Sequence, residues 1–155
     1  MVVLRGLRRY LALAPAERRL FVRAFIALGL TDLALRCFGF RRVAERAAQA
    51  RPVGNRAVTL EDLRRARRYA RWIEAAARHH VIRAHCLQRS LVLHHWLQEE
   101  GLPSALHIGV RRADGALKAH AWVQVGGYVL NDRPVTVAAF TPLARANPGV
   151  RSAGR

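Results

Sequence analysis

The spacing of apolar residues changes once along this chain, near Gly101, and that change limits the fold more than any other feature. Before it, apolar positions recur every three or four residues: Leu20, Phe21, Ala24, Phe25, Leu28 and Leu35, then Leu60, Leu63, Ala66, Ala70, Ile73 and Ala77. After it, Leu106, Ile108 and Val110 alternate with polar or small residues, and alternation returns over 119–125 and 128–132. A period near 3.6 draws a stripe along a helix, whereas a period of two lines one face of a sheet. The chain therefore reads as helices followed by an antiparallel meander, with turns at Asp114-Gly115 and around Gly126-Gly127.

Local signals bound these elements. Ala14-Pro15-Ala16-Glu17 puts proline in a first helical turn with an acid behind it. Gly29 is expected to break that helix and Thr31-Asp32 to restart it. Residues 51–58, RPVGNRAV, read as a connector. Thr59-Leu60-Glu61-Asp62 resembles a capping box with Asp in its last position. A further helix starts near Cys86, runs to about Glu100 and stops at Gly101, with Pro103 beyond. Its apolar residues cover most of its circumference, so it is expected to be central and buried. Residues 146–155 are expected to be a flexible tail.

At 155 residues and 52% apolar content the chain can bury one sizeable core. Two cysteines, Cys37 and Cys86, are too few for a disulfide framework, and arginines interrupt the apolar runs at the N-terminus. A reducing, cytoplasmic setting is expected. Arg23, Asp32 and Arg36 interrupt the one candidate for a membrane span, so membrane contact is not expected. Net charge is +17, and residues 1–80 hold 18 basic and 6 acidic side chains. Such a surface attracts anionic partners. Arg64, Arg65, Arg67, Arg68 and Arg71 crowd one helix, yet no winged-helix, RNP or zinc-finger signature accompanies them, so nucleic acid is not an expected partner. His79, His80, His85, His94 and His95 lack the spacing of a zinc site, and no metal or cofactor is expected. His107 is expected at a strand edge or in solvent, and Cys37, between Leu35 and Phe38, is expected to be buried.

Cys86 invites a chemical reading. A cysteine nucleophile needs an imidazole beside it and a group to orient that imidazole. A helix N-terminus favours a thiolate, and Cys86 opens a helix, preceded by Arg83 and His85. His120 and Asp132 lie on the two arms of the Gly-Gly hairpin. A two-residue turn would set them on opposite faces of the sheet. A three-residue loop, Val125-Gly126-Gly127, would pair His120 with Asp132, Trp122 with Leu130 and Gln124 with Tyr128. The three-residue loop is the expectation. Trp122 is expected either beside the site or as core filler.

C-L-x-x-S-L at 86–91, G-L-P-S-A-L-H-I-G-V at 101–110 and H-A-W-V at 120–123 resemble the transglutaminase-like cysteine peptidases. More narrowly they are similar to the leader peptidases of lasso-peptide biosynthesis, over roughly residues 60–135. The resemblance implies an α+β fold, in which N-terminal helices join a transglutaminase- or papain-like core whose central helix packs on an antiparallel sheet. Residues 1–58 would be the helical region and 59–145 the peptidase core. It also implies roles: Cys86 as nucleophile, His120 as general base and acid, Asp132 as the orienting carboxylate. The implied substrate is the leader region of a ribosomally made precursor, whose core peptide passes to a separate ATP-using cyclase. Residues 1–58 lack the strands of a fused leader-recognition element, so a small separate recognition protein is an expected partner. Two other readings stay open from the residues alone: a non-catalytic scaffold that grips a peptide, and a basic nucleic-acid-binding helical protein.

Overall fold

A computed structural model describes residues 10, 12–49 and 57–143 of the chain. Helix α1 spans Pro15–Gln49, α2 Leu60–His79 and α3 Cys86–Glu99. Strands β1 (Ser104–Ala113), β2 (Ala116–Val125) and β3 (Tyr128–Val129) follow. A short helix α4, Pro134–Ala138, leads into a two-residue strand β4, Thr141–Pro142. The sheet is antiparallel throughout, with strand order β3-β2-β1-β4. This is the α+β architecture expected from the change of period.

Helices α1, α2 and α3 pack on one another, and α3 is the one that lies against the sheet. It touches α1, α2, β1 and β2. Ala24 and Leu28 of α1, Ala66, Ile73 and Ala76 of α2, Val92, Leu93, Trp96 and Leu97 of α3, and Val123 and Val125 of β2 form one buried cluster. Each fully buried Leu, Ile or Val contributes roughly 1.5–3 kcal/mol of transfer free energy. The predicted α2 stripe is met at Ala66, Ala70 and Ile73, whereas Leu60, in the first turn, remains exposed.

The helix ends follow their local chemistry. Thr59 Oγ1 accepts from the Asp62 N–H while the Asp62 carboxylate accepts from the Thr59 N–H, so Asp completes the box as Glu would. At the end of α3, Gly101 takes φ +67° and the Leu102 N–H donates to the Leu97 carbonyl at 2.8 Å, a Schellman closure. Helix α1 departs from expectation, because it runs unbroken through Gly29 and is interrupted instead at Gly39, φ 75°, ψ 161°. A side chain at Gly29 would meet the His80 ring at 3.6 Å. That ring stacks on Phe25 at 4.1 Å and its Nε2 donates to the Phe25 carbonyl at 3.0 Å. Its Nδ1 accepts from the Ile82 N–H, which fixes the tautomer and makes His80 a joint between α1 and the segment entering α3.

The hairpins correct the expected register. Asp114 and Gly115 both have positive φ, 53° and 74°, and join Ala113 to Ala116 in a two-residue turn. Gly126 and Gly127, at 56° and 84°, do the same between Val125 and Tyr128. The three-residue loop does not form. Gln124 faces Val129 and not Tyr128, and the ladder ends there, so β3 has two residues where alternation predicted five. The connector at 51–56 and the tail at 146–155 lie outside the described residues.

Candidate active site

The three candidate residues line one cavity, although the register differs from the expected one. A cavity of about 200 Å³ is lined by Cys86, His120 and Asp132, together with Glu74, Arg89, Ala121 and Asn131. His120 Nε2 lies 2.5 Å from Asp132 Oδ2. A two-residue turn would have separated these groups had the ladder continued to residue 132. Because the chain leaves the sheet after Val129, Asp132 is free of the alternation rule and turns back to the imidazole.

Asp132 is fixed at both oxygens. Its Oδ2 meets His120 and its Oδ1 accepts from the Arg133 N–H at 2.6 Å. An ionised carboxylate only accepts, so a hydrogen sits on Nε2, and in the neutral ring Nδ1 carries the lone pair. The ring is also held from its faces. Trp122 stacks on it at 6.1 Å and 21°, and Phe140 packs at 5.1 Å and 32°. Phe140 is delivered by the segment between α4 and β4, whose Thr141 and Pro142 pair with Val110 and Gly109. Trp122 itself is only 3% exposed and stacks on His107 at 5.5 Å, so half-buried His107 joins this aromatic column, at a point of β1 that β4 does not cover. Both expectations for Trp122 hold at once: it fills space and it flanks the imidazole.

Cys86 is the first residue of α3. His85 precedes it as N-cap but supplies no side-chain cap bond, and the first helical hydrogen bond runs from the Arg89 N–H to the His85 carbonyl. The N–H groups of Cys86 and the next residues therefore stand before the first intrahelical bond, at the positive end of the helix dipole. Cys86 is partly buried, while Cys37 is exposed, the reverse of what its apolar neighbours suggested. Cys37 sits two residues before the Gly39 interruption, where α1 no longer packs on the core.

Several residues of the site were assigned no role from the sequence. Arg89 donates to Glu74 at 2.7 Å, and both line the cavity. Ser90 is wholly buried and donates to the Ala121 carbonyl at 2.9 Å. Asn131 bridges to Ser90 at 2.8 Å and to the Val123 N–H at 2.9 Å. Arg89 and Ser90 stand three and four residues after Cys86, which places them on its helix face, and a serine inside an apolar helix was the available signal. Glu74 comes from another helix and no local pattern marks it. Three further histidines are engaged elsewhere. His94 Nδ1 lies 2.9 Å from Ser104 Oγ, His95 faces Glu99, and His79 packs on Phe21.

A thiol at a helix start and a carboxylate-bound imidazole sharing one cavity are the parts of a cysteine hydrolase. The family model described as "Transglutaminase-like superfamily" matches residues 27–145. The chain belongs to the transglutaminase-like superfamily. Its match begins inside α1 and takes in α2, α3 and the whole sheet, so every residue of the cavity falls within it. Members of this superfamily are commonly cysteine peptidases. No curated protein and no solved structure gives a significant match to this transglutaminase-like chain.

Proposed function

We propose that this transglutaminase-like protein is a cysteine peptidase that removes the leader from a lasso-peptide precursor. The observation that carries the peptidase reading is the cavity that Cys86 lines together with the His120–Asp132 pair. The narrower substrate rests on the resemblance of the segments 86–91, 101–110 and 120–123.

In this reading His120 Nδ1 takes the Cys86 proton as the sulfur attacks the scissile carbonyl. The Cys86 N–H, ahead of the first helical hydrogen bond, donates to the developing oxyanion. The protonated imidazole then gives its proton to the departing amine of the core peptide, leaving the leader as a thioester. Water, deprotonated by the same imidazole, cleaves the thioester and restores the thiol. Asp132 holds the tautomer and stabilises the imidazolium by its opposite charge.

A small leader-recognition protein is the proposed partner, and the outer face of α1 offers it a surface. Val22, Ile26, Leu30 and Leu33 form an exposed apolar row beside a groove of about 890 Å³. Arg18 and Arg19 line that groove, which calls for acidic groups on the partner. The released core peptide would pass to the ATP-using cyclase. No helix among the described residues is long and apolar enough to cross a membrane.

The test is incubation with candidate precursors and the recognition protein, read by mass spectrometry. Cleavage at one position, absent in Cys86→Ala, supports the proposal. An intact precursor would leave the scaffold reading. Alkylation by iodoacetamide gives a substrate-free check. Exposure alone favours Cys37, so faster modification of Cys86, lost in His120→Ala, requires an activated thiol.

A further inference from the structure

We infer that Ser90 and Asn131 form one positioning element for the Cys86, His120 and Asp132 side chains, an inference that rests on the peptidase reading above. The reason begins where β3 ends. After Val129 the β2 edge loses its partner strand, and the Leu130 N–H makes a last contact with the Val123 carbonyl at 3.0 Å. The next groups along that edge are inside the protein and need partners. Asn131 Oδ1 accepts from the Val123 N–H at 2.9 Å, and Ser90 Oγ donates to the Ala121 carbonyl at 2.9 Å. Asn131 Nδ2 donates to Ser90 Oγ at 2.8 Å and closes the network. Two side chains thus stand in for the missing strand.

Their sequence positions give the network its role. Ser90 lies one turn beyond Cys86 on the same helix face. Ala121 follows His120, and Asn131 precedes Asp132. Each of the three reactive residues is therefore the neighbour, along the chain or one helical turn away, of a group in a single buried hydrogen-bond set. The Ser90 hydroxyl donates once and accepts once, and the Asn131 amide also does both, so the set has one hydrogen-bond sense. A network satisfied in this way is stiff. Stiffness matters because a misplacement of about 1 Å can cost roughly 10²-fold in rate. Neither residue is assigned contact with the reacting atoms: they register α3 against β2 and against the turn that carries Asp132.

The experiment measures the carboxymethylation rates of Cys86 and Cys37 in the same full-length molecules, by peptide mass spectrometry across pH. Wild type should show a Cys86 excess that His120→Ala removes. Ser90→Ala and Asn131→Ala should each lower the Cys86-to-Cys37 ratio about tenfold or more and move its pH profile toward that of His120→Ala. Thermal unfolding should stay cooperative, and Ser90→Thr should restore part of the ratio. On precursor peptide the loss should fall on kcat with KM little changed. If Ser90→Ala and Asn131→Ala lower only the melting temperature and keep the wild-type ratio and pH profile, the network is plain scaffolding and the inference is overturned. If Ser90→Ala fails to fold, Asn131→Ala, at a partly exposed position, decides alone. A wild type without any His120-dependent excess would instead bring down the peptidase reading.

Discussion

Replacing Gly109 by alanine puts a methyl group where the structure has filled the space. Gly109 faces His120 across β1 and β2 and Pro142 across β1 and β4. An added Cβ would lie 2.9 Å from both Phe140 Cβ and Trp122 Cη2. Carbon atoms settle at roughly 3.5–4.0 Å, so each contact is short by about 0.6–1 Å. Trp122 is buried among His107, His120 and Phe140 and has little room to retreat. Overpacking of this kind costs about 1–3 kcal/mol. The backbone there has ordinary φ, so alanine returns about 0.4–1 kcal/mol by restricting the unfolded chain. Phe140 Cβ is tied to its backbone and cannot yield, so the overpacking cost falls in the upper part of its range, about 2–3 kcal/mol. The net loss is about 1–2.6 kcal/mol, a fall of roughly 2–10 °C in Tm for a chain of this length. Gly29→Ala supplies the contrast. It sits inside α1 with its nearest neighbour at an ordinary 3.6 Å, and should stabilise by about 0.5–1 kcal/mol. Urea and thermal melts of both variants test the reasoning. A Gly109→Ala protein as stable as wild type, or a Gly29→Ala protein that loses as much, would refute it.

Under the proposed chemistry, Cys86→Ala abolishes precursor cleavage and His120→Ala lowers it by at least roughly 10²–10⁴-fold, while Asp132→Ala leaves a residual rate because orientation is lost and the base is kept. Single-turnover cleavage read by mass spectrometry checks all three. The Arg36 guanidinium bonded to Asp32, with help from Gln88, holds that carboxyl below its usual 3.8 against the opposing effect of burial. A depressed folded value means stability present above the unfolded pKa and lost as pH falls through the folded one. The advantage of wild type over Asp32→Asn in urea melts should therefore hold near neutrality and vanish in acid. Ile26→Asp and Leu30→Asp, on the exposed row of α1, should weaken cleavage that depends on the recognition protein by tenfold or more, about 1.4 kcal/mol, and leave Cys86 alkylation unchanged.

The elements were legible because their signals are local. Pro15, the Thr59–Asp62 box, Gly101 and the Asp114-Gly115 turn each act within a few residues, and each sits where the sequence placed it. Register was harder. The Gly-Gly loop length was inferred from the need to bring His120 to Asp132, and that reasoning assumed a ladder extending to residue 132. The ladder stops at Val129, so the contact forms through the irregular turn beyond it. Gly29 and Gly39 look alike in the sequence, and only the conformation separates them: Gly39 leaves helical geometry at φ 75° while Gly29 stays within it. Cys37 was judged by neighbours whose own side chains face outward, Phe38 among them. Glu74, Phe140 and strand β4 reach the site from distant segments and left no pattern to read.

The column of rings behind the imidazole gives the molecule an internal optical reporter. An indole pressed against two imidazoles changes its emission when either gains a proton, and Trp122 lies between His107 and His120. With Trp72 and Trp96 replaced by phenylalanine, the remaining fluorescence would follow the charge of those two rings in the resting protein, with no substrate in hand.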